Sequence, residues 1–496
     1  MAAEYVLSKK TVLAGLQCHK RLWWELHEPA AAELRESLVM QHRLKEGRAV
    51  GALARTYVRG GHLVERGSRS IAALLAETHA ALARPDVRAV YEGAFVANDT
   101  LVFADILERH ADGWTLIEVK STTSVSEQEH IPDVAVQGAV LRACGVRVNR
   151  FEVMHLNREC RHPDLTNLFV RRDVTDEVER RLAVLDIEIV RQLRVAMESA
   201  APSVDAGEHC AKPRECPFAD RCWPELPEHH VSTLYMIRKR KAAEYVQSGW
   251  ETIHDLPDSV KLSAIAARQR RSVRQGEIVV EHEQLVQALA KLERPIAHLD
   301  FETIQPAIPR WPGCRPFDQI PVQLSCHIVD ESGAVRHAAW LFDGVGDPRP
   351  AAARAILEAC AGARVVTAYF AQFEQGCIRL VADACPELAP ELRAIADGIV
   401  DLLPIVRENV YHPEFFGKFS LKRVLPALVP HLTYTGLVIA EGETAQVQLS
   451  RLIMEPDAMS ETERVEVREA LLRYCELDTR AMVELEARLR DLVQRS

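Results

Sequence analysis

A chain of 496 residues is longer than one ordinary hydrophobic core fills, so two or three domains are expected. Its 48% hydrophobic and 27% charged content is that of a globular protein. No run approaches the roughly 20 uninterrupted apolar residues that cross a bilayer, and the N-terminus has no apolar core of signal-peptide length. The expectation is a cytosolic protein without membrane contact. A net charge of −10, from 61 basic and 71 acidic side chains, requires any polyanion partner to be held by local basic patches. Twelve cysteines in such a chain read first as metal ligands and core thiols, not disulfides.

Apolar positions recur at helical spacing through Val50, Leu53, Ala54 and Tyr57, and again through Ile71, Leu74, Leu75 and His79. Residues 7–82 are therefore predicted to be largely helical, with Trp23 and Trp24 packed beneath Cys18. Period-two runs follow at 90–96, 101–108 and 114–119, with turn signals at Asn98-Asp99 and Asp112-Gly113, which predicts a β-meander. A helix over 132–144, a strand over 150–156 and a long amphipathic helix over 175–198 complete an α/β core with helical decoration.

Residues 224–230 read as a linker. A helical segment over 231–292 carries two basic clusters, Arg238 to Lys241 and Arg268, Arg270, Arg271 and Arg274. Between them, 248–257 is similar to a helix-hairpin-helix turn of the kind that grips DNA backbone. From Ile296 the α/β pattern returns, with strands predicted at 296–302, 322–329, 337–342 and 365–368. Helices are predicted at 351–361, 374–385, 420–428 and 460–490. The expected domains are 1–226, 227–292 and 293–496.

Glu118 and Lys120 lie two apart on a strand and share a face, while Leu116, Ile117 and Val119 hold that strand in the core. Asp105 sits on the preceding strand. Two carboxylates and a lysine converging on a strand pair suit metal-dependent phosphodiester hydrolysis. The acids bind Mg²⁺, and the lysine positions the water or stabilises the developing charge. With Gln137 on the following helix, these residues resemble the RecB-like branch of the PD-(D/E)xK nuclease superfamily. That branch often has an upstream histidine ligand in a Gly-x-x-x-His context. No histidine stands at the matching place here, which leaves His42 or Glu46 as an unassigned stand-in and Glu92 as a further candidate ligand.

Cys210, Cys216 and Cys222 follow this core at even spacing, and Cys18 precedes it. Such thiolates bind Zn²⁺ or an iron–sulfur cluster. RecB-like nucleases of the AddB and CRISPR-adaptation types are similar, with one cysteine before the core and three after it joined by a [4Fe–4S] cluster. The resemblance implies a structural clasp on one domain, with zinc as the alternative. The other eight cysteines (Cys144, Cys160, Cys314, Cys326, Cys360, Cys377, Cys385 and Cys475) are expected to be core thiols.

In the last domain Asp300 and Glu302 again share one strand face, with Leu299 and Phe301 on the other. Tyr474 and Asp478 stand four apart, hence adjacent on a helix. Such carboxylates can hold two Mg²⁺ or Mn²⁺ ions roughly 3.5–4 Å apart around a scissile phosphate, and the tyrosine can orient the attacking water. This half resembles DEDD-type 3′–5′ exonucleases of the tyrosine subclass, on an RNase H-like fold. The family's middle Asn-x₃-Asp motif is replaced here by Phe370 and Glu374, with Asp401 as the fallback acid. Ser420 and Lys422 begin a stretch similar to the family's helix near the DNA.

The whole chain resembles a bacterial family fusing a RecB-like domain to a ribonuclease-H-like exonuclease domain. The resemblance implies a metal-dependent nuclease with two sites, acting on single-stranded or end-containing DNA in repair or defence. Two alternatives stand beside it. One is a nucleic-acid-binding scaffold with one inactive site, for which the altered motif points to the C-terminal half. The other is an RNA-processing exonuclease.

Overall fold

A computed structural model describes residues 6–494. The chain is mixed α/β and divides into two compact units. One runs through Pro224 and includes Pro306–Asp318, and the other comprises Glu225–Gln305 and the chain from Gln319 on. Among the described residues no helix is long and apolar enough to cross a membrane.

The first unit begins with β1 (Leu7–Ser8), α1 (Lys9–Gln17), α2 (His19–His27), α3 (Leu38–Ala54), β2 (Gly61–Leu63) and α4 (Ile71–Ala83). Serine starts three of these helices. The side chains of Ser8, Ser37 and Ser70 accept from the amides three residues on, satisfying donors that the first turn leaves free. Next come β3 (Ala89–Ala97), β4 (Thr100–His110) and β5 (Gly113–Lys120), then α5 (His130–Ala143), β6 (Val148–Leu156), β7 (Phe169–Asp173), α6 (Thr175–Ala196) and α7 (Ala219–Cys222). The seven-stranded sheet runs β2-β3-β4-β5-β6-β7, with β1 paired to β4. The predicted meander β3–β5 is antiparallel, and α5 carries the chain over to β6, which is parallel to β5. Parallel pairing requires such a crossover.

Helix α5 lies close on this sheet because residue 138 is glycine. A Cβ there would meet the Phe151 ring at 2.6 Å, and Phe151 is fully buried among Val134, Val140, Leu141 and Val153. Burying that ring contributes about 2–3 kcal/mol, so the approach that only Gly138 permits both stabilises the core and sets the height of α5 over β5.

The second unit starts with α8 (Lys239–Gln247), α9 (Ala264–Gln275), β8 (Val279–Val280) and α10 (His282–Leu289). Its sheet holds β9 (Ile296–Ile304), β10 (Ile320–Val329), β11 (Val335–Leu341), β12 (Val365–Ala368) and β13 (Val400–Asp401) in the order β11-β10-β9-β12-β13. β9 is central, antiparallel to β10 and parallel to β12. The remaining helices are α11 (Arg349–Ala359), α12 (Gln372–Ala384), α13 (Ala389–Gly398), α14 (Leu402–Asn409), α15 (Leu421–Leu428), α16 (Gly442–Met454) and α17 (Glu461–Gln494). A short strand, β14 (Val410–Tyr411), pairs with β8. Leu299 and Phe301 point into one core with Ile356 and Ile378, as predicted, leaving the other face of β9 for its acids.

Three expectations change. Residues 227–292 are not a separate spacer, because Ile265, Leu285 and Leu289 share a core with Leu402, Val406, Leu485 and Leu489. Pro306–Asp318 groups with the first unit, where Ala307 packs with Val50, Leu156 and Leu168. The stretch between α8 and α9 is a 16-residue connection, 248–263, pinned by a His230–Thr252 bridge. A short helix-hairpin-helix turn is absent there.

The second basic cluster is engaged by partners within its own unit. Arg268 and Arg271 pair with Glu281 at 3.1 and 2.5 Å, Arg274 pairs with Asp258 at 2.6 Å, and Arg270 donates to the Pro257 carbonyl. In the first cluster, Arg240 and Lys241 lie beside Glu244. Cys144 is exposed, unlike the other seven expected core thiols, which are buried.

Candidate functional site

In the second unit β9 carries Asp300 and Glu302 on its free face, and α17 crosses it with Tyr474 and Asp478 one turn apart. One oxygen each from Asp300, Glu302 and Asp478 lies within 4.8 Å of the others. The three line a cleft of about 710 Å³ together with Tyr235, Tyr369, Phe370, Phe419, Lys422 and Tyr474. Period-two and period-four spacing thus bring together what the sequence paired.

Burial and mutual repulsion push these acids up. Glu302 is raised to about 8 by burial and Asp478, and Asp478 to about 6 by burial. Asp300 is well above its ordinary range through burial, Asp478 and Glu374. Tyr434 donates to Asp478 at 2.5 Å, and Cys475 donates to Asp300 at 3.5 Å. Lys422 donates to the Tyr474 hydroxyl at 3.0 Å.

Glu374 projects from α12, 3% exposed, and is raised to about 8, chiefly by burial. It bears electrostatically on both Asp300 and Glu302, yet stands outside the tight three-carboxylate group. Its buried Oε2 has no hydrogen-bond partner. Asp401 is not a spare acid. Its Oδ1 accepts the amides of Phe370 and Leu403, each at 2.9 Å, so it caps α14 and fixes Phe370 at φ 70°. That leaves the Phe370 ring 54% exposed at the cleft.

Carboxylates crowded in a buried cleft with an orphaned acceptor form the donor set that suits Mg²⁺ or Mn²⁺. A pH dependence follows. Between the ordinary carboxylate range and about 8 the folded, metal-free protein holds protons that the unfolded chain has released. Its stability should fall as pH rises through that window, and Mn²⁺ should raise Tm more at pH 8 than at pH 5. Equal Mn²⁺ shifts at both values in thermal melts would contradict this.

In the first unit Asp105 on β4, Glu118 and Lys120 on β5 and Gln137 on α5 converge. Two residues join them that the sequence reading missed. Asp133 lies one turn before Gln137 on α5, a spacing that could have marked it. Lys9, at the start of α1, is 109 residues from its partner Glu118, and no local pattern announces it. Lys9 Nζ lies 3.0 Å from Glu118 and 2.8 Å from Asp133. Lys120 Nζ lies 2.8 Å from the same Glu118 oxygen and also pairs with Asp133. Gln137 Nε2 donates to Glu118 at 2.6 Å and to Asp133 at 3.1 Å.

Asp105 accepts the Val119 amide at 2.9 Å and is pushed up to about 7 by burial and by Glu118, with Lys9 opposing. Burial also pushes Asp133 up, but Lys120 and Lys9 outweigh it and hold that carboxyl well below the usual range. Among the described residues, Asp105, Glu118 and Asp133 form no three-ligand group like that of the second unit.

The upstream candidates go elsewhere. Glu92, within β3 at φ 56°, pairs with Arg66 at 2.6 Å and Arg55 at 3.4 Å. His42 lies 4.0 Å from Glu46, which accepts the Ala307 amide.

Cys18 separates α1 from α2, and Cys210 and Cys216 are buried in the same unit. Gln17 Nε2 donates to the carbonyls of His209 and Arg214 at 2.6 and 2.7 Å, tying Cys18 to the cysteine segment. Trp24 packs on Phe218 at 5.2 Å, and Arg221 bridges to Glu28 and Glu33 at 2.7 Å each. The Cys216 amide donates to the Cys210 carbonyl at 2.7 Å. Burial raises the Cys216 thiol, with Cys18 and Cys210 near enough to add to the shift. Cys18 and Cys210 thus lie near Cys216 and could serve a thiolate-bound group, although among the described residues no three of the cysteine sulfurs lie within 4.8 Å of one another.

Residues 297–420 match a family described as a domain of unknown function, DUF2779. That stretch holds Asp300, Glu302 and Glu374 and ends before Tyr474. Among curated proteins, the chain is 26% identical over 227 residues to an uncharacterised protein of Mycoplasma genitalium, MG366, covering 42% of this chain and 33% of that one. It is 25% identical over 224 residues to the Mycoplasma pneumoniae homolog, covering 41% and 33%. The chain spans about a third of the length of these relatives. No solved structure matches it.

Proposed function

We propose that this chain is a divalent-metal-dependent nuclease whose principal site is the Asp300, Glu302 and Asp478 group of an RNase H-like unit. The observation that carries this reading is the convergence of those three acids within 4.8 Å beneath Tyr474. The acids, with Glu374 behind them, would hold Mg²⁺ or Mn²⁺. When bound, the metal activates water and offsets phosphate charge. Tyr474, held by Lys422, orients the attacking water, and the Lys422 ammonium faces the incoming phosphate. Tyr369, Phe370 and Phe419 offer rings on which unpaired bases stack, which favours single-stranded DNA or frayed ends, with RNA as the alternative substrate. A panel of labelled single-stranded and duplex DNA and RNA in Mg²⁺, Mn²⁺ or EDTA tests this. Absence of hydrolysis from every member refutes it.

Asp105, Glu118, Lys120 and Gln137 form a second, RecB-like site in this reading. Lys9 favours a variant of it. Two ammonium groups already balance the carboxylates, so the first unit would bind nucleic acid while the second cleaves it. The four cysteines carry a [4Fe–4S] clasp with a structural role. Protein purified without oxygen should be brown and contain about four irons per chain, and Cys210→Ser should lose them. Stoichiometric zinc without iron would overturn the cluster and leave the clasp.

A further inference from the structure

We propose that His327, His337 and Glu476 form a binding site for a zinc-like transition-metal dication, separate from the carboxylate cleft. His327 on β10 and His337 on β11 oppose each other directly in the antiparallel ladder, with ring centroids 4.4 Å apart. Glu476 on α17 faces them, with its Oε1 3.8 Å from His337 Nδ1. One nitrogen from each ring and one Glu476 oxygen lie within 4.8 Å of one another. Three ligands about 2.1 Å from a shared ion stand about 3.4–3.6 Å from one another, so the three side chains must draw in by up to about an ångström.

One arrangement of hydrogens follows from placing the Thr479 hydroxyl hydrogen on the Glu476 carbonyl. Thr479 has one hydroxyl hydrogen, donated to the Glu476 carbonyl at 3.1 Å. It can therefore only accept from His327 Nδ1 at 2.8 Å and from Ser325 Oγ at 2.6 Å. Ser325, having donated to Thr479, accepts from His337 Nε2 at 2.9 Å. In that arrangement each ring carries its hydrogen on the nitrogen tied to a hydroxyl, leaving lone pairs on His327 Nε2 and His337 Nδ1.

The rings are stacked at 23°, so their in-plane lone pairs run side by side near the Glu476 carboxylate and a modest turn of each ring brings them onto one ion. Hydroxyls holding the outer nitrogens are what a metal-ligating imidazole needs. Two imidazoles and one carboxylate suit Zn²⁺, Ni²⁺ or Cu²⁺ better than Mg²⁺. Glu476 lies two residues from Asp478 on α17, so an ion here pins to the sheet the helix that carries Tyr474 and Asp478.

Co²⁺ is the probe, titrated into the full chain and followed by visible spectroscopy. The expected result is ligand-field bands from a nitrogen and oxygen site, distinct from the sulfur-to-cobalt charge-transfer absorption of any thiolate site. His337→Ala and Glu476→Gln should each weaken that binding at least about tenfold and leave Asp300-dependent Mn²⁺ binding intact. Glu476 is exposed, so its substitution tests the site even where His337→Ala disturbs folding. Bands unchanged in Glu476→Gln overturn the proposal, as do bands lost in Asp300→Asn but kept in Glu476→Gln. Absence of Co²⁺ binding outside the cysteines also overturns it. The readout is metal binding, so it stands or falls apart from nuclease activity.

Discussion

Replacing Asp300 or Asp478 by asparagine is expected to lower metal-dependent hydrolysis by at least about 1000-fold, roughly 4 kcal/mol of transition-state stabilisation. Each substitution removes a carboxylate from the group of three that lies within 4.8 Å. Amide oxygens bind dications far less well than carboxylates, and the two acids left behind cannot fix an ion in place. The fold should survive, because the replaced groups are raised acids whose charge the buried cleft disfavours. The metal-free variants should hold or gain stability at pH 8. Steady-state hydrolysis with thermal melts at the same pH checks both halves. A variant that retains activity within tenfold of the parent removes these acids from the chemistry.

Lys9→Met should cost about 3 kcal/mol and lower the melting temperature of the first unit by roughly 10 °C. Glu118 and Asp133 are almost fully buried, their side chains 3% and 9% exposed, and they share two ammonium groups. Removing one ammonium leaves buried negative charge uncompensated, which is where the cost arises. Lys9 is a quarter exposed, so the lower end of the usual cost for breaking a buried pair applies. Asp133→Asn added to Lys9→Met should recover part of the loss, since it removes the charge that lost its partner. Calorimetry of the single and double variants measures this coupling. Additive losses would show that Lys9 and Asp133 do not act on one another.

Asp300, Glu302 and Asp478, and Glu118 beside Lys120, were legible because each pair obeys a local period. Asp300 and Glu302 alternate along a strand, and Tyr474 and Asp478 repeat along a helix. Lys9 was illegible because its partners are more than a hundred positions away, and a lysine beside a capping serine looks like an ordinary helix start. Tyr434 was missed for the same reason, reaching Asp478 from 44 residues upstream. Helix α16 hides in its own sequence. Ala445, Val447 and Leu449 are all buried and alternate with polar residues, which imitates a strand. Phe370 read as the loss of a motif asparagine. In the fold, Asp401 holds its backbone and leaves its ring at the cleft.

The most direct measurement compares Asp105→Asn with the Asp105→Asn, Asp478→Asn double variant on a labelled single strand in Mn²⁺. The account predicts cleavage by the first, abolished by EDTA and absent from the second. Cleavage that survives in the double variant, or that fails in the parent chain as well, would contradict it.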